Sequence, residues 1–379
     1  MIVKNLYFTL SNIYNNSFYT FLLILFAFLG QEERSADIAL ATSTTILFTQ
    51  IFSGNMRNII IASHDLMLLK NVKQFRIFFS VIIILFFSLL FFLISGELDI
   101  FTLSLIFLMI VGWINEMNIL EEELNLKKTK ILFFLIFNFI LTVSVLVFIF
   151  FSLVDFVYFL IIFQSFFNVV LFIRKGDFLN DNMNVLKYHI DEIRKYSYAF
   201  YSSFSMIIAN FISRALIFTF LDKDFAGILF ASYAIGSFPG TIFNNTFGPT
   251  LIKSGRKIPN IIKLLFLAIF VLILLILFQF FRVDINFLDN NDILYFTSLV
   301  SIIGSFFMVC SLYIRQRSIQ IYFHNQKFIF SHDIFLNLIL VLLIGSLILF
   351  KIQYLYYFLF FIFSIISLCI YKFMAIKMK

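Results

Sequence analysis

The chain has 379 residues, 62% of them hydrophobic and 13% charged, with a net charge of +7; its mean hydropathy is +1.02. A soluble domain carries about a quarter charged residues, and no pair of soluble domains buries 59 phenylalanines away from water. Water-soluble classes are excluded, and the natural solvent of this chain is a bilayer.

In chain order, apolar runs suited to a hydrocarbon core of about 30 Å, which takes roughly 20 helical residues, fall at 7–29, 38–62, 77–95, 100–119, 131–153 and 156–173. After a polar stretch, six more follow at 196–220, 225–250, 261–281, 293–314, 333–350 and 353–372. The first run has no small-residue cleavage site after it and is read as a retained span. The expected fold is an all-α membrane protein of about twelve transmembrane helices, a span being roughly 20 residues. These form an N-terminal six-helix bundle over 1–173 and a C-terminal six-helix bundle over 196–379, placed around a central cavity. The link at 174–195 holds a candidate interfacial helix at 184–195, where Val185, Tyr188 and Ile193 sit amid charge; a plain linker is the alternative.

The Lys and Arg residues set the direction. With both termini and the even-numbered connections on one side, that side holds 22 of the 28 basic residues. It includes Lys70, Lys73 and Arg76 before the third span and Arg315 and Arg317 after the tenth. The positive-inside rule places both termini in the cytoplasm. The basic charge thus follows membrane loops and does not point to nucleic acid. The opposite loops, such as Gly30–Asp37 and Arg282–Asp292, are short and mostly acidic, with no room for an external domain. Cys310 and Cys369 lie in apolar runs without ligand spacing and read as small buried hydrophobes.

The two halves rhyme weakly. Ser35-Ala36-Asp37-Ile38-Ala39-Leu40-Ala41 opens the second span, and Phe225-Ala226-Gly227-Ile228-Leu229-Phe230-Ala231 opens the eighth. Internal repeats of this kind are common in transporters. Both spans are rich in Ser, Thr, Asn and Gly, including Asn55 in one and Asn244 and Asn245 in the other. Such helices line a cavity or pack closely on their neighbours. Pro239 and Pro249 bend the eighth span and make it a candidate gating element. The run 81–94, almost all Ile, Leu and Phe, can face lipid on every side. Gln164, Ser165 and Asn168 in the sixth span are placed to bond helices together.

Two arginines fall within spans. Arg57 lies about five residues from the cytoplasmic end of span two, roughly 8 Å deep, and Arg214 about six residues from the outer end of span seven, roughly 9 Å deep. Each either snorkels to an interface or meets an anion, and a guanidinium fork suits phosphate oxygens. Their different depths fit two stations on a path. Glu116, near the cytoplasmic end of span four, is expected to pair with Arg57 or with loop lysines, and is the one candidate for ion coupling. Asn15, Asn16 and Tyr14 in span one, with Tyr201 and Asn210 in span seven, complete the candidate substrate-binding set. No P-loop, dinucleotide fingerprint, metal-binding cluster or nucleophile–base set is present, so no enzymatic role and no cofactor are expected.

Twelve spans, cytoplasmic termini, a central cytoplasmic link and polar spans one, two, seven and eight resemble the polysaccharide-transporter branch of the multidrug/oligosaccharidyl-lipid/polysaccharide (MOP) exporter superfamily, which includes O-antigen-type flippases. The stretch Asp224 to Pro239 resembles the start of the eighth span in that branch, and Asn245 to Pro249 its proline-bearing cytoplasmic end. The resemblance implies translocation of a lipid-linked oligosaccharide across a bacterial inner membrane by alternating access. It also implies that cavity cations, here Arg57 and Arg214, meet the lipid diphosphate, with a proton, sodium or membrane-potential gradient as the driving force. Glycan-assembly enzymes and membrane lipids are the implied partners. The first span departs from the pattern in having no arginine. The rival readings are an ion-coupled drug or metabolite exporter, a membrane enzyme of glycan assembly such as a polymerase or acyltransferase, and a channel or structural protein.

Overall fold

The protein is an all-α membrane protein. Its structure, a computed structural model, describes residues 2–51, 56–57, 60, 65–151, 153, 156–172, 191, 194, 197–243, 269–270, 290–321 and 326–377. The described helices are α1 (Ile2–Phe28), α2 (Glu32–Ile51), α3 (Leu66–Ser95), α4 (Ile100–Leu124), α5 (Thr129–Phe150), α6 (Val157–Phe172), α7 (Ser197–Phe220), α8 (Lys223–Ile242), α9 (Asn290–Ile321), α10 (Gln326–Phe350), α11 (Gln353–Tyr356) and α12 (Leu359–Lys377). Among the described residues, eight helices are long and apolar enough to cross a membrane, and Ser17–Phe28 and Val157–Phe172 are shorter apolar helices. Eleven of the twelve expected spans meet one of these helices; the ninth, at 261–281, apart from residues 269–270, and most of the 174–195 link lie outside the described residues.

Helices prevail because hydrocarbon offers backbone groups no partner, so each N–H and C=O must be satisfied within its own segment. Short polar signals punctuate them. The Asp65 carboxylate caps α3 by accepting from Met67 N at 2.9 Å and Leu68 N at 3.0 Å, and Gly96 ends that helix at φ +78°. Asp99 caps α4 through Thr102 N at 2.8 Å. The expected outer loop Gly30–Asp37 is a tight turn instead: Gly30 takes φ +71°, and α2 already begins at Glu32, with Glu32 and Glu33 at its positive end.

The chain forms two compact units, Met1–Tyr19 with Ala41–Phe204, and Thr20–Leu40 with Ser205–Lys379. In the first unit α4 is central. Its apolar window is 78% buried, against 17% for α3. Met117 and Leu120 of α4 pack with Leu68, Leu69 and Val72 of α3, while Ile119 joins Phe8, Ile131, Phe134 and Phe172. The run 81–94 does not face lipid all round, because Ile83, Phe87 and Phe91 form a buried stripe.

In the second unit α9 packs against α8 and α12. Small residues set the α8–α9 spacing: Ser232 Oγ lies 3.3 Å from Ser298 Oγ, and a Cβ on Gly236 would come within 2.7 Å of the Ser301 carbonyl. Part of the polar character of span eight therefore serves close packing. The cysteines depart from expectation. Cys310 is half-buried and Cys369 is exposed, as small residues on a lipid-facing helix surface can be.

Candidate functional site

Four polar constellations stand out among the described residues of the helices. At the end of the first unit that the sequence reading takes as cytoplasmic, α4 carries Glu116, Glu121 and Glu123 toward basic residues of α3 and of the segment after α2. Arg57 Nη2 donates to Glu123 Oε2 at 3.2 Å, Lys73 Nζ to Glu121 Oε2 at 3.0 Å and Arg76 Nη1 to Glu116 Oε2 at 2.8 Å. Arg76 also donates to the Trp113 carbonyl, and its guanidinium lies 5.0 Å from the Trp113 ring centre. Its side chain is 1% exposed.

These pairs correct the sequence reading. Lys73 and Arg76 are not loop residues; α3 starts eleven residues before the apolar run and carries them inside the fold. Glu116 pairs with Arg76, and Arg57 with Glu123, because a buried guanidinium requires a compensating charge. A hydropathy window finds only the apolar part of such a helix.

The second constellation is neutral. Gln164 Nε2 donates to Asn138 Oδ1 at 2.7 Å, Asn138 Nδ2 to Asn168 Oδ1 at 3.1 Å and Asn168 Nδ2 to Asn138 Oδ1 at 3.2 Å. The Tyr14 hydroxyl lies 2.6 Å from Thr142 Oγ1 and 3.0 Å from the Asn138 carbonyl it donates to. Asn15 Nδ2 donates to the Gly112 carbonyl at 3.0 Å. The absence of a Cβ at Gly112 makes room, since one would stand 3.1 Å from Tyr19 OH. Tyr14, Asn15, Tyr19, Gln164 and Asn168 line a cavity of about 10 Å³, the space of a single water. Gln164 and Asn168 bond helices as expected, while Asn138 went unnoticed although it interrupts an apolar run. Tyr14 and Asn15 are engaged in helix packing here.

The third lies in the second unit, where the turn end of the α1–α2 hairpin meets α7 and α8. Arg214 of α7 donates from Nη1 to the Ala39 carbonyl at 2.9 Å. The Ser35 hydroxyl reaches the Leu23 carbonyl at 3.0 Å and the Gly227 carbonyl at 3.4 Å. Gly227 is pressed against the Glu32 backbone so closely that no Cβ fits. Lys223 Nζ pairs with Asp37 at 3.2 Å near the surface. The two rhyming segments, 35–41 and 225–231, thus pack on each other.

Elsewhere in this unit, Arg315 grips Asp333 in a fork, Nε to Oδ1 at 2.9 Å and Nη2 to Oδ2 at 2.6 Å. The Tyr371 hydroxyl donates to the same carboxylate at 2.6 Å. This joins α9, α10 and α12, and Arg315 is a helix residue rather than the loop residue expected. Asp333, an acid at the edge of an apolar run, was the available signal. Of the other candidates, Tyr201 and Asn210 are exposed on α7 and Pro239 is buried in the last turn of α8. Asn55, Asn244, Asn245, Pro249 and the side chain of Asn16 lie outside the described residues.

No protein-family model matches the chain, and no curated protein matches it in sequence. A solved structure is similar in fold: a multidrug resistance MATE family transporter of the MOP superfamily in its inward-facing conformation. It is 13% identical, with a TM-score of 0.53 over 99% of this chain and 95% of that one. The chain shares the fold of that transporter along its full length.

Proposed function

We propose that the chain carries a polyprenyl-diphosphate-linked oligosaccharide from the cytoplasmic to the outer leaflet of a bacterial inner membrane by alternating access. The observation that carries this reading is the fold of a transporter with half-buried guanidinium groups, Arg57 and Arg214, in helical segments of the expected spans. A guanidinium there exchanges its present partner for phosphate oxygens without changing its own charge. Arg57 is the inner station: Glu123, 28% exposed, contacts it at 3.2 Å, and a diphosphate can compete for the same guanidinium. Arg214 is the outer station. Translocation needs no covalent step. Glycan-assembly enzymes are the proposed source of the substrate.

An exporter of small molecules is the second reading, favoured by the multidrug description of the structural neighbour. The neutral character of the Tyr14–Asn138–Gln164–Asn168 network favours the first, because amides and hydroxyls neither take up nor release protons at ordinary pH. The carboxylate of Glu116, the coupling candidate, is held by Arg76.

The test is the leaflet distribution of the lipid-linked glycan in a deletion strain. Accumulation on the cytoplasmic leaflet, with loss of surface glycan, supports the proposal. Unchanged glycan with raised sensitivity to cationic dyes supports the exporter. In the complemented strain, Arg57→Ala lowers surface glycan at unchanged protein level, and Arg57→Lys retains part of it if charge rather than fork geometry matters.

A further inference from the structure

Arg214 differs from the other cations described above. Arg57, Lys73, Arg76 and Arg315 each face a carboxylate, whereas Arg214 is held by a backbone carbonyl of α2. The acceptor, Ala39, belongs to a run of wholly buried residues, with Ser35, Ala36 and Leu40 at 0% exposure. On α8, Ala226, Leu229 and Ala231, in the segment that holds Gly227, are equally buried. The contact is layered: the Lys223–Asp37 pair at the rim, the Ser35–Gly227 and Gly227–Glu32 backbone approach beneath it, and the Arg214–Ala39 bond deepest, about 9 Å in along α7.

We propose that this contact is the outer seal of the transport path and that Arg214 is its latch, a positioning residue rather than a substrate ligand alone. A smooth seam of Ala, Ser and Gly has no directional hold of its own, since small residues give close approach and dispersion but no lock. The guanidinium supplies the directional bond. A carbonyl carries no net charge, so it holds the guanidinium far less firmly than a carboxylate does, and the joint opens without separating an ion pair. The same weakness leaves the cation able to turn toward an anion when the seam parts. The latch role rests on the transport reading above; the seam itself does not.

The experiment reads seam opening directly. Ser35→Cys, placed in a Cys310→Ser/Cys369→Ser background, reports exposure to a membrane-impermeant maleimide added to the outer side of spheroplasts. Labelling is slow in this reporter, because Ser35 is fully buried. Arg214→Gln raises the rate about tenfold, the factor that follows from losing one charge-assisted hydrogen bond, and Arg214→Lys, which keeps charge and a donor, brings most of it back. Gly227→Ala raises the rate independently by forcing the backbones apart, and Lys223→Ala changes it less than about twofold, as a rim pair should. Arg214→Met serves as the donor-free variant, since Gln removes the charge but keeps an amide N–H, with labelling after detergent denaturation confirming equal protein.

Labelling of Arg214→Gln and Arg214→Met at the reporter rate overturns the latch, whether or not Gly227→Ala responds. Labelling requires no glycan. A seam that behaves as described in a strain whose deletion leaves surface glycan untouched keeps the latch and discards the substrate.

Discussion

Arg214 and Arg315 belong to the same unit and both project from membrane helices, yet they are held in opposite ways. Arg315 meets a buried carboxylate with two parallel bonds, and a tyrosine completes that carboxylate. Arg214 meets one carbonyl. The first arrangement satisfies both charges and costs much to break, because removing either partner strands the other in a poorly solvating interior. The second leaves a charge matched only by a dipole. The difference separates a permanent joint, fixing α9, α10 and α12 as one body, from a contact suited to repeated release.

The strongest way to break this comparison is Asp333→Ala. It strands Arg315 and lowers stability by about 3–5 kcal/mol, read as a shift in the unfolding midpoint of purified protein in detergent. The double variant Arg315→Met/Asp333→Leu recovers most of the loss, since no buried charge remains. If Asp333→Ala costs no more than Arg214→Gln, the two arginines are held alike and the distinction fails. Asn138→Ala comes next, at about 1–3 kcal/mol in the same assay, because Gln164 and Asn168 lose their shared acceptor while remaining buried. Tyr371→Phe removes one donor from a carboxylate still held by the fork and costs about 0.5–1.5 kcal/mol. Lys223→Ala, at the exposed rim, stays below about 1 kcal/mol, and the effect shrinks further in high salt.

The span pattern was legible because hydrocarbon thickness imposes a length and a composition on every crossing segment. The second span read as membrane helix from small and hydroxyl residues; Thr44, Thr45 and Thr49 bond back to their own helix carbonyls, so they are tolerated there. What stayed hidden was pairing. Arg76 and Glu116 stand forty positions apart in sequence and meet only because α3 and α4 form a hairpin whose inner end extends beyond the apolar run. Arg57 and Arg214 were visible as charges out of place, but their partners were not. Glu123 sits in an acidic cluster that reads as a solvated loop, and a backbone carbonyl leaves no mark in the sequence at all. The rhyme between segments 35–41 and 225–231 was visible as similarity; that they pack on each other required the fold.

The outward face of α3 bears on how such chains diverge. Val81, Ile82, Leu85, Leu89 and Leu93 are all more than half exposed, and their neighbours there are acyl chains, which accept any oily side chain of any shape. Substitution at these positions is nearly free. A large share of the chain therefore drifts at the pace its codons allow, while glycine contacts and charge pairs hold the architecture. Two proteins can keep one fold across their whole lengths and agree at 13% of positions. For the same reason, kinship among such proteins is better sought in the few positions where backbones touch than in the many where they face oil.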